Sequence, residues 1–204
     1  IARLHTWHLN TVKDTLDRDG RLIVEYLLDS AMTHGEPGTL DHYTASLRAK
    51  FTPEYLGLSL QVTNEGDEPI TFEEAFHTYL AVDDVGQISI EGLDGLSYID
   101  KLTGSTEVQS GDVRFTGEVD RIYEHRGTAT VVDPVMGRKL VVTKSGSAST
   151  IIWNPGPKRA AEMEDFADGE WPKMVCVESG NVGDNAVTLL PGETHTLKQR
   201  ITLA

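Results

Sequence analysis

Alternating apolar and polar positions recur along most of the chain. Residues 43–50 (YTASLRAK) and 55–63 (YLGLSLQVT) place an apolar or aromatic residue at every second position, the period of a strand with one buried face. Short apolar or alternating segments bounded by turn residues add further strand candidates at 21–28, 87–93, 113–124, 128–133, 139–144, 150–154, 174–178, 186–190 and 194–203. Gly, Pro, Asn and Asp separate these segments. The pattern therefore predicts an all-β antiparallel sandwich or barrel.

Three segments depart from this pattern. Residues 158–167 (KRAAEMEDFA) carry apolar side chains at spacings of three, which fits one short helix or a capped loop. Residues 29–42 and 101–112 lack a regular period and are interpreted as long loops. Loops at the ends of a β-sandwich commonly carry binding residues.

The segment at residues 70–84 (ITFEEAFHTYLAVDD) raises a question about its histidine. If the segment is one strand, Phe76 and Leu80 point to one face, whereas His77 and Tyr79 point to the other. His77 then faces away from the apolar side. The alternation is compatible with a structural histidine, which is the commoner case, and with an imidazole directed into a pocket.

Three other polar residues are candidates with equally ordinary alternatives. Glu178 ends the apolar segment MVCVE, and Asp120 shares a predicted strand face with Glu118 and Ile122. Both acids fit a solvated sheet edge or face. The sequence pattern around Arg3 does not by itself indicate a functional role for this residue.

Length and charge restrict the class of protein. The 204 residues suffice for one domain spanning residues 1–204. The formal net charge of -14 argues against nucleic-acid binding, which depends on Lys and Arg neutralising phosphates. No apolar stretch approaches the roughly 18 residues of a membrane span, and no signal-peptide pattern opens the sequence. We therefore expect a soluble protein that binds neither nucleic acid nor membranes.

Cysteine and histidine usage points away from a metal. Cys176 is the single cysteine, which excludes an intrachain disulfide and fits a reducing compartment such as the cytoplasm. Neither His5 with His8 nor His34 with His42 has the spacing of common zinc motifs. Glycine-rich nucleotide loops and the G-x-S-x-G motif are missing from the sequence. We expect no metal and no cofactor.

Six segments, taken in order, resemble the aldose 1-epimerase superfamily and, within it, the glucose-6-phosphate 1-epimerase (hexose-6-phosphate mutarotase) branch. They are IARLHTW at 1–7, FEEAFHTYLAVDDVGQISIEGLDGLSYIDK at 72–101, FTGEVDRIYEH at 115–125, IIWNPGPKRAAEMEDF at 151–166, MVCVESGNV at 174–182 and LLPGETHTLKQRI at 189–201. The order and the coverage of nearly the whole chain make the resemblance specific. It implies a galactose mutarotase-like β-sandwich and a monomer.

The sequence departs from the family pattern in two places. Gly156 stands where the family's Trp-Asn-Pro-Trp motif has its second tryptophan. The chain also begins just after the His-Gly pair that precedes Ile1 in the family pattern. We therefore expect N-terminal strands of the family fold, with a further arginine near the sugar phosphate, to be missing.

The resemblance also implies the chemistry. It assigns Glu178 as the base on the anomeric hydroxyl and His77 as the acid at the ring oxygen. Ordinary pKa values of about 4.3 for Glu and about 6.5 for His favour this division. Asp120 would hold a sugar hydroxyl or orient His77, and Arg3 would bind the phosphate of the hexose phosphate. An epimerase of unphosphorylated sugars and a non-catalytic carbohydrate-binding sandwich are the alternatives.

Overall fold

The computed structural model describes residues 2–33, 40–164, 166–167 and 169–204, without the side chains of Arg3 and Asp17. Strands and helices are numbered in chain order. The described strands form sheets of eight, seven and two strands, and every neighbouring pair is antiparallel. The predicted all-β antiparallel class is confirmed.

The eight-stranded sheet contains the longest strands. Its order is β1 (His8–Thr15), β2 (Arg21–Asp29), β3 (Tyr43–Phe51), β4 (Tyr55–Asn64), β17 (Thr194–Leu203), β13 (Arg138–Ser145), β12 (Ala129–Asp133) and β8 (Ser89–Glu91).

The seven-stranded sheet carries the candidate site. Its order is β10 (Thr106–Val108), β9 (Ser97–Asp100), β11 (Val119–Glu124), β14 (Ser149–Asn154), β15 (Met174–Asn181) and β6 (Glu74–Phe76), and β7 (Tyr79–Ala81) also pairs with β15. The two-stranded sheet consists of β16 (Val187–Leu189) and β5 (Ile70–Phe72).

Short helices connect these strands. They are α1 (Leu16–Asp19), α2 (Ser30–Thr33) and α3 (Gly156–Ala161), with 3-10 turns at Ala2–Leu4, Trp171–Lys173 and Gly183–Asn185. None of the helices in the described ranges combines the length and apolar character needed to cross a bilayer.

The main core lies between the two large sheets. Ile90 and Val131 from the eight-stranded sheet cluster with Tyr123, Ile152 and Val175 from the seven-stranded sheet, and each is fully or almost fully buried. Burial of such side chains contributes roughly 1.5–3 kcal/mol each by transfer from water. This packing fixes the seven-stranded sheet, whose opposite face is then available for the site.

The segment at residues 70–84 is not one continuous strand. It is divided into β5, which pairs with β16, and then β6 and β7, which both pair with β15. The predicted division of faces is nevertheless confirmed across the last break, because Phe76 and Leu80 are buried whereas His77 and Tyr79 are exposed.

Other differences have local causes. The strand predicted over 113–124 begins only at Val119, and β1 was not predicted because its side chains are almost all exposed and show no buried face. The loop predicted over 101–112 contains β10, and the loop predicted over 29–42 lies partly outside the described residues.

The helix predicted over 158–167 is shorter and starts earlier, as α3. Gly156 at its start has φ +59, and a Cβ there would lie 2.7 Å from the Glu118 backbone nitrogen. The close approach of these two backbones explains why glycine, and no larger residue, occupies this position.

Candidate active site

Strand β15 forms the floor of the candidate site. Cys176 and Glu178 are two residues apart and therefore point to the same face of the sheet. Trp153 on β14 pairs with Cys176, and Asp120 on β11 pairs with Trp153. Three adjacent strands thus bring these side chains together, although their sequence segments are far apart.

His77 lies in the short connection between β6 and β7. The register on either side places Phe76 opposite Ser179 and Tyr79 opposite Cys176. Both flanking strands are paired with β15, so the connection is held beside this strand, where the His77 side chain reaches Glu178.

His77 and Glu178 are in direct contact. The His77 Nδ1 atom lies 3.3 Å from Oε1 of Glu178, and the side chains are 46% and 8% exposed, respectively. The same Nδ1 atom lies 3.4 Å from Sγ of the buried Cys176. One imidazole nitrogen therefore faces the buried acid and thiol, and Nε2 lies on the other side of the ring.

Two aromatic side chains restrict the orientation of the imidazole. The Tyr79 ring stacks on His77 with centroids 4.8 Å apart and planes 8° from parallel. Trp153 meets His77 edge-on, with centroids 5.5 Å apart. Such contacts hold a ring in one orientation and leave an apolar platform beside it.

Asp120 and Lys101 lie beside His77 and Glu178. Lys101 Nζ is 3.7 Å from Asp120 Oδ2, with the lysine 54% exposed and the aspartate 22% exposed. The Lys101 backbone N–H donates a hydrogen bond to the Asp120 carbonyl oxygen. The sequence prediction included Asp120 but gave Lys101 no role.

This environment raises the pKa values of the Glu178 and Asp120 carboxyl groups. Burial, reinforced by the negative charge of Asp120, raises the pKa of Glu178 to about 8, whereas Lys101 opposes the rise. Burial also raises the pKa of Asp120, and Lys101 again opposes the rise. The expectation of an ordinary pKa for Glu178 is therefore wrong, because removal from water disfavours the ionised carboxylate.

These side chains line one cavity of about 440 Å³, which includes His77, Lys101, Asp120, Trp153 and Glu178. A cavity of this size accommodates a small polar ligand such as a sugar. The structure thus brings together three of the four predicted site residues. The fourth, Arg3, has its side chain outside the described residues.

Sequence reasoning did not identify Tyr79, Trp153, Cys176 and Lys101 as members of the site. A signal was present for Tyr79 and Cys176, because each is two residues from a predicted site residue on an alternating strand. Trp153 and Lys101 depend on pairing between strands, which the sequence alone does not specify.

One subset of the site has metal-ligating character. The ligand atoms of His77, Cys176 and Glu178 all lie within 4.8 Å of one another. Spacing along the chain does not reveal this subset, because its ligands come from two separate segments that strand pairing brings together.

Comparison with known proteins gives consistent results. The aldose 1-epimerase family model matches residues 1–202. A Cenchrus ciliaris protein is 36% identical over 134 residues, covering 64% of this chain and 40% of that protein. An Escherichia coli K12 protein is 28% identical over 152 residues, covering 73% and 51%. Both are named "Putative glucose-6-phosphate 1-epimerase", and the chain spans about half of their length or less.

Solved structures share the fold. One described as a "putative mutarotase" from Salmonella typhimurium has a TM-score of 0.85 at 23% identity, covering 97% of this chain and 64% of that chain. A "galactose mutarotase-like protein" from Clostridium acetobutylicum has a TM-score of 0.69 at 12% identity, covering 98% and 66%. The predicted sandwich architecture is confirmed.

Proposed function

Because the chain belongs to the aldose 1-epimerase family, we propose that it interconverts the α and β anomers of a hexose 6-phosphate such as D-glucose 6-phosphate. The observation that carries the proposal is the contact between His77 and Glu178 at one cavity. Anomer exchange needs one group that accepts a proton and one that donates a proton. The pair supplies both within reach of one sugar ring.

The proposed reaction proceeds through ring opening. Glu178 accepts the proton of the anomeric hydroxyl while His77 donates a proton from Nε2 to the ring oxygen. The bond between C1 and the ring oxygen breaks, and the C1 carbonyl forms. Rotation about the C1–C2 bond presents the other face of the carbonyl, and the two proton transfers then reverse. Atoms and charge balance without any additional reactant.

The surroundings support this division of roles. A carboxyl group buried to the extent of Glu178 binds a proton more tightly than an ordinary glutamate, which makes its carboxylate a stronger base. The Tyr79 and Trp153 rings orient the imidazole. Asp120 is well placed to accept a hydrogen bond from a sugar hydroxyl, because its carboxylate lines the same cavity.

The preference for a phosphorylated sugar rests on two supports. Similar proteins carry the name glucose-6-phosphate 1-epimerase, and Lys101 contributes a positive charge to the cavity lining. A phosphate needs such a local cation in a chain with a net charge of -14. Arg3 remains the second cation that we propose for the phosphate.

The cellular setting is proposed from the sequence. A reducing compartment such as the cytoplasm fits the single unpaired cysteine, and we propose a monomer that acts on a small-molecule substrate. These statements are independent of the chemistry at the site.

Anomer exchange measured by NMR tests the function. The 204-residue chain is mixed with glucose 6-phosphate, glucose or galactose, and exchange between the two anomeric signals is compared with the uncatalysed rate. We expect catalysis to be greatest with the phosphorylated sugar. Faster exchange of a free sugar would instead favour an epimerase of unphosphorylated sugars. Binding without accelerated exchange would favour a carbohydrate-binding protein without catalytic activity.

A further inference from the structure

Three potential metal ligands converge beneath the cavity. His77 Nδ1 lies 3.3 Å from Glu178 Oε1 and 3.4 Å from Cys176 Sγ, and all three ligand atoms lie within 4.8 Å of one another. A nitrogen, a sulfur and a carboxylate oxygen are the donor types that zinc selects in proteins. The cluster thus supplies the three protein ligands of a zinc site that keeps its fourth position open.

Two of the three distances between the ligand atoms also fit zinc. Bonds of about 2.0 Å to nitrogen and oxygen and about 2.3 Å to sulfur separate tetrahedral ligands by about 3.3 Å for a nitrogen–oxygen pair and about 3.5 Å for a nitrogen–sulfur pair. The two separations from His77 Nδ1 are close to these values. The third pair, Cys176 Sγ and the Glu178 carboxylate, lies within 4.8 Å, whereas a tetrahedral sulfur–oxygen pair is separated by about 3.5 Å. Binding of a cation therefore draws the Glu178 carboxylate toward Cys176.

The fold holds the ligands in place. Cys176 and Glu178 share one face of β15, and pairing of β6 and β7 with that strand sets His77 above them. Cys176 is fully buried, but the 46% exposed His77 borders the cavity and provides a route for an ion. The fourth coordination position would face the cavity, where water or a sugar hydroxyl can bind.

We propose that Zn²⁺ binds His77 Nδ1, Cys176 Sγ and a carboxylate oxygen of Glu178, and that this binding inhibits the enzyme. The proton of the Cys176 thiol, and that of the Glu178 carboxyl group where it is protonated, pass to solvent as the bonds to zinc form. The thiolate and the carboxylate together balance the charge of the cation. Inhibition rests on the proposed function, because zinc would occupy the groups assigned as acid and base. The binding site itself does not depend on that function.

Cobalt provides the direct test. Co²⁺ replaces Zn²⁺ in such sites and reports a bound thiolate through a near-ultraviolet charge-transfer band. Purified chain is stripped with a chelator, titrated with Co²⁺ and then with Zn²⁺, and Zn²⁺ affinity is measured by competition with a chelating dye. We expect the charge-transfer band in the unaltered chain and its loss when Zn²⁺ displaces Co²⁺.

Two variants assign the site. Cys176→Ser is expected to lose the charge-transfer band and to bind Zn²⁺ at least about tenfold more weakly, whereas His8→Asn, which removes an exposed histidine on β1, should retain both. Absence of the band in the unaltered chain, or equal Zn²⁺ affinity in Cys176→Ser, overturns the site. The band is measured on the unaltered chain, so the test stands even where Cys176→Ser does not fold.

Inhibition is measured separately on the same preparations. Anomer exchange should fall with Zn²⁺ at the concentration that fills the site in the binding titration. Full exchange activity at saturating Zn²⁺ overturns the inhibitory role. A chain that shows the thiolate band but no exchange activity retains the metal site and contradicts the proposed function, so the two failures are distinguishable.

Discussion

Gly180 on β15 lies directly opposite Ala75 on β6, and there is no room between the two strands for another side chain. A Cβ atom at Gly180 would lie 2.8 Å from the Glu74 carbonyl oxygen and 2.9 Å from the Ala75 Cβ. We therefore predict that Gly180→Ala displaces β6 and, with it, His77. The expected cost is roughly 1–3 kcal/mol of unfolding free energy and a loss of anomer exchange, measured by urea unfolding and NMR.

Gly117→Ala is the matched control for this substitution. No atom lies within 4 Å of a Cβ built at Gly117, so the same added methyl group should change neither stability nor exchange appreciably. Equal effects of the two variants would show that the close contact of β15 with β6 does not position His77.

Neutral replacements at the acid–base pair should remove catalysis without removing the fold. His77→Asn and Glu178→Gln each eliminate one proton-transfer group while keeping similar volume. We expect each to lower the catalysed exchange rate by a factor of about 10² to 10⁴, with unaltered far-ultraviolet circular dichroism. His8→Asn serves as the control histidine. Activity close to that of the unaltered chain in either variant would contradict the assigned roles.

A substitution at Lys101 tests phosphate binding separately from proton transfer. Lys101→Met removes the cation beside Asp120 and should raise KM for glucose 6-phosphate by about tenfold, since a charge-assisted contact contributes about 1.4 kcal/mol or more. The effect on a free hexose should be smaller. Lys139→Met is the control. It removes another exposed lysine that forms an ion pair, with Glu91 on the eight-stranded sheet, and it should leave KM unchanged. Equal effects on phosphorylated and free sugars would exclude Lys101 from phosphate binding.

Lys144 makes stability depend on pH. Its Nζ donates hydrogen bonds of 2.6 Å to the Ser149 carbonyl oxygen and to Thr150 Oγ1. Burial, with a smaller contribution from Arg126, lowers the pKa of Lys144 from 10.5 to about 7. Between these two values the unfolded chain binds the proton and the folded chain does not. The unfolding free energy contributed by this group therefore rises with pH across that window.

The test compares Lys144→Met with the unaltered chain in urea at pH about 7 and about 9. The unaltered chain should gain stability relative to the variant at the higher pH, whereas Lys139→Met should follow the unaltered chain. A constant difference at both pH values would indicate that burial does not shift the pKa of Lys144.

The sequence predicted the strands that have one clearly buried face. Segments 43–50 and 55–63 became β3 and β4 because their alternation continues over many residues. In contrast, β1 has almost no buried side chain, and it exists because β2 pairs with it. Pairing of this kind is a tertiary effect that local alternation does not record.

Prediction of the site was limited in the same way. The resemblance identified His77, Asp120 and Glu178, and the structure places them around one cavity. The pKa of Glu178 was not predictable, because it depends on burial in the folded chain and on the charges of Asp120 and Lys101, which lie far from it in the sequence. As the single cysteine, Cys176 excluded a disulfide and argued against a zinc motif, and its contact with His77 depends on the pairing of β7 with β15.

The interruption between β6 and β7 has a consequence for protein engineering. His77 and Thr78 are the two residues that separate strands paired to the same neighbour. Their number fixes which side chains project to the face that carries Glu178, since adding or removing one residue would exchange the two faces on one flank. A library that varies loop length here would therefore remove the imidazole from the cavity or the tyrosine from its stack on the imidazole, even though both residues are still encoded. Length at this connection is as strongly specified as residue identity.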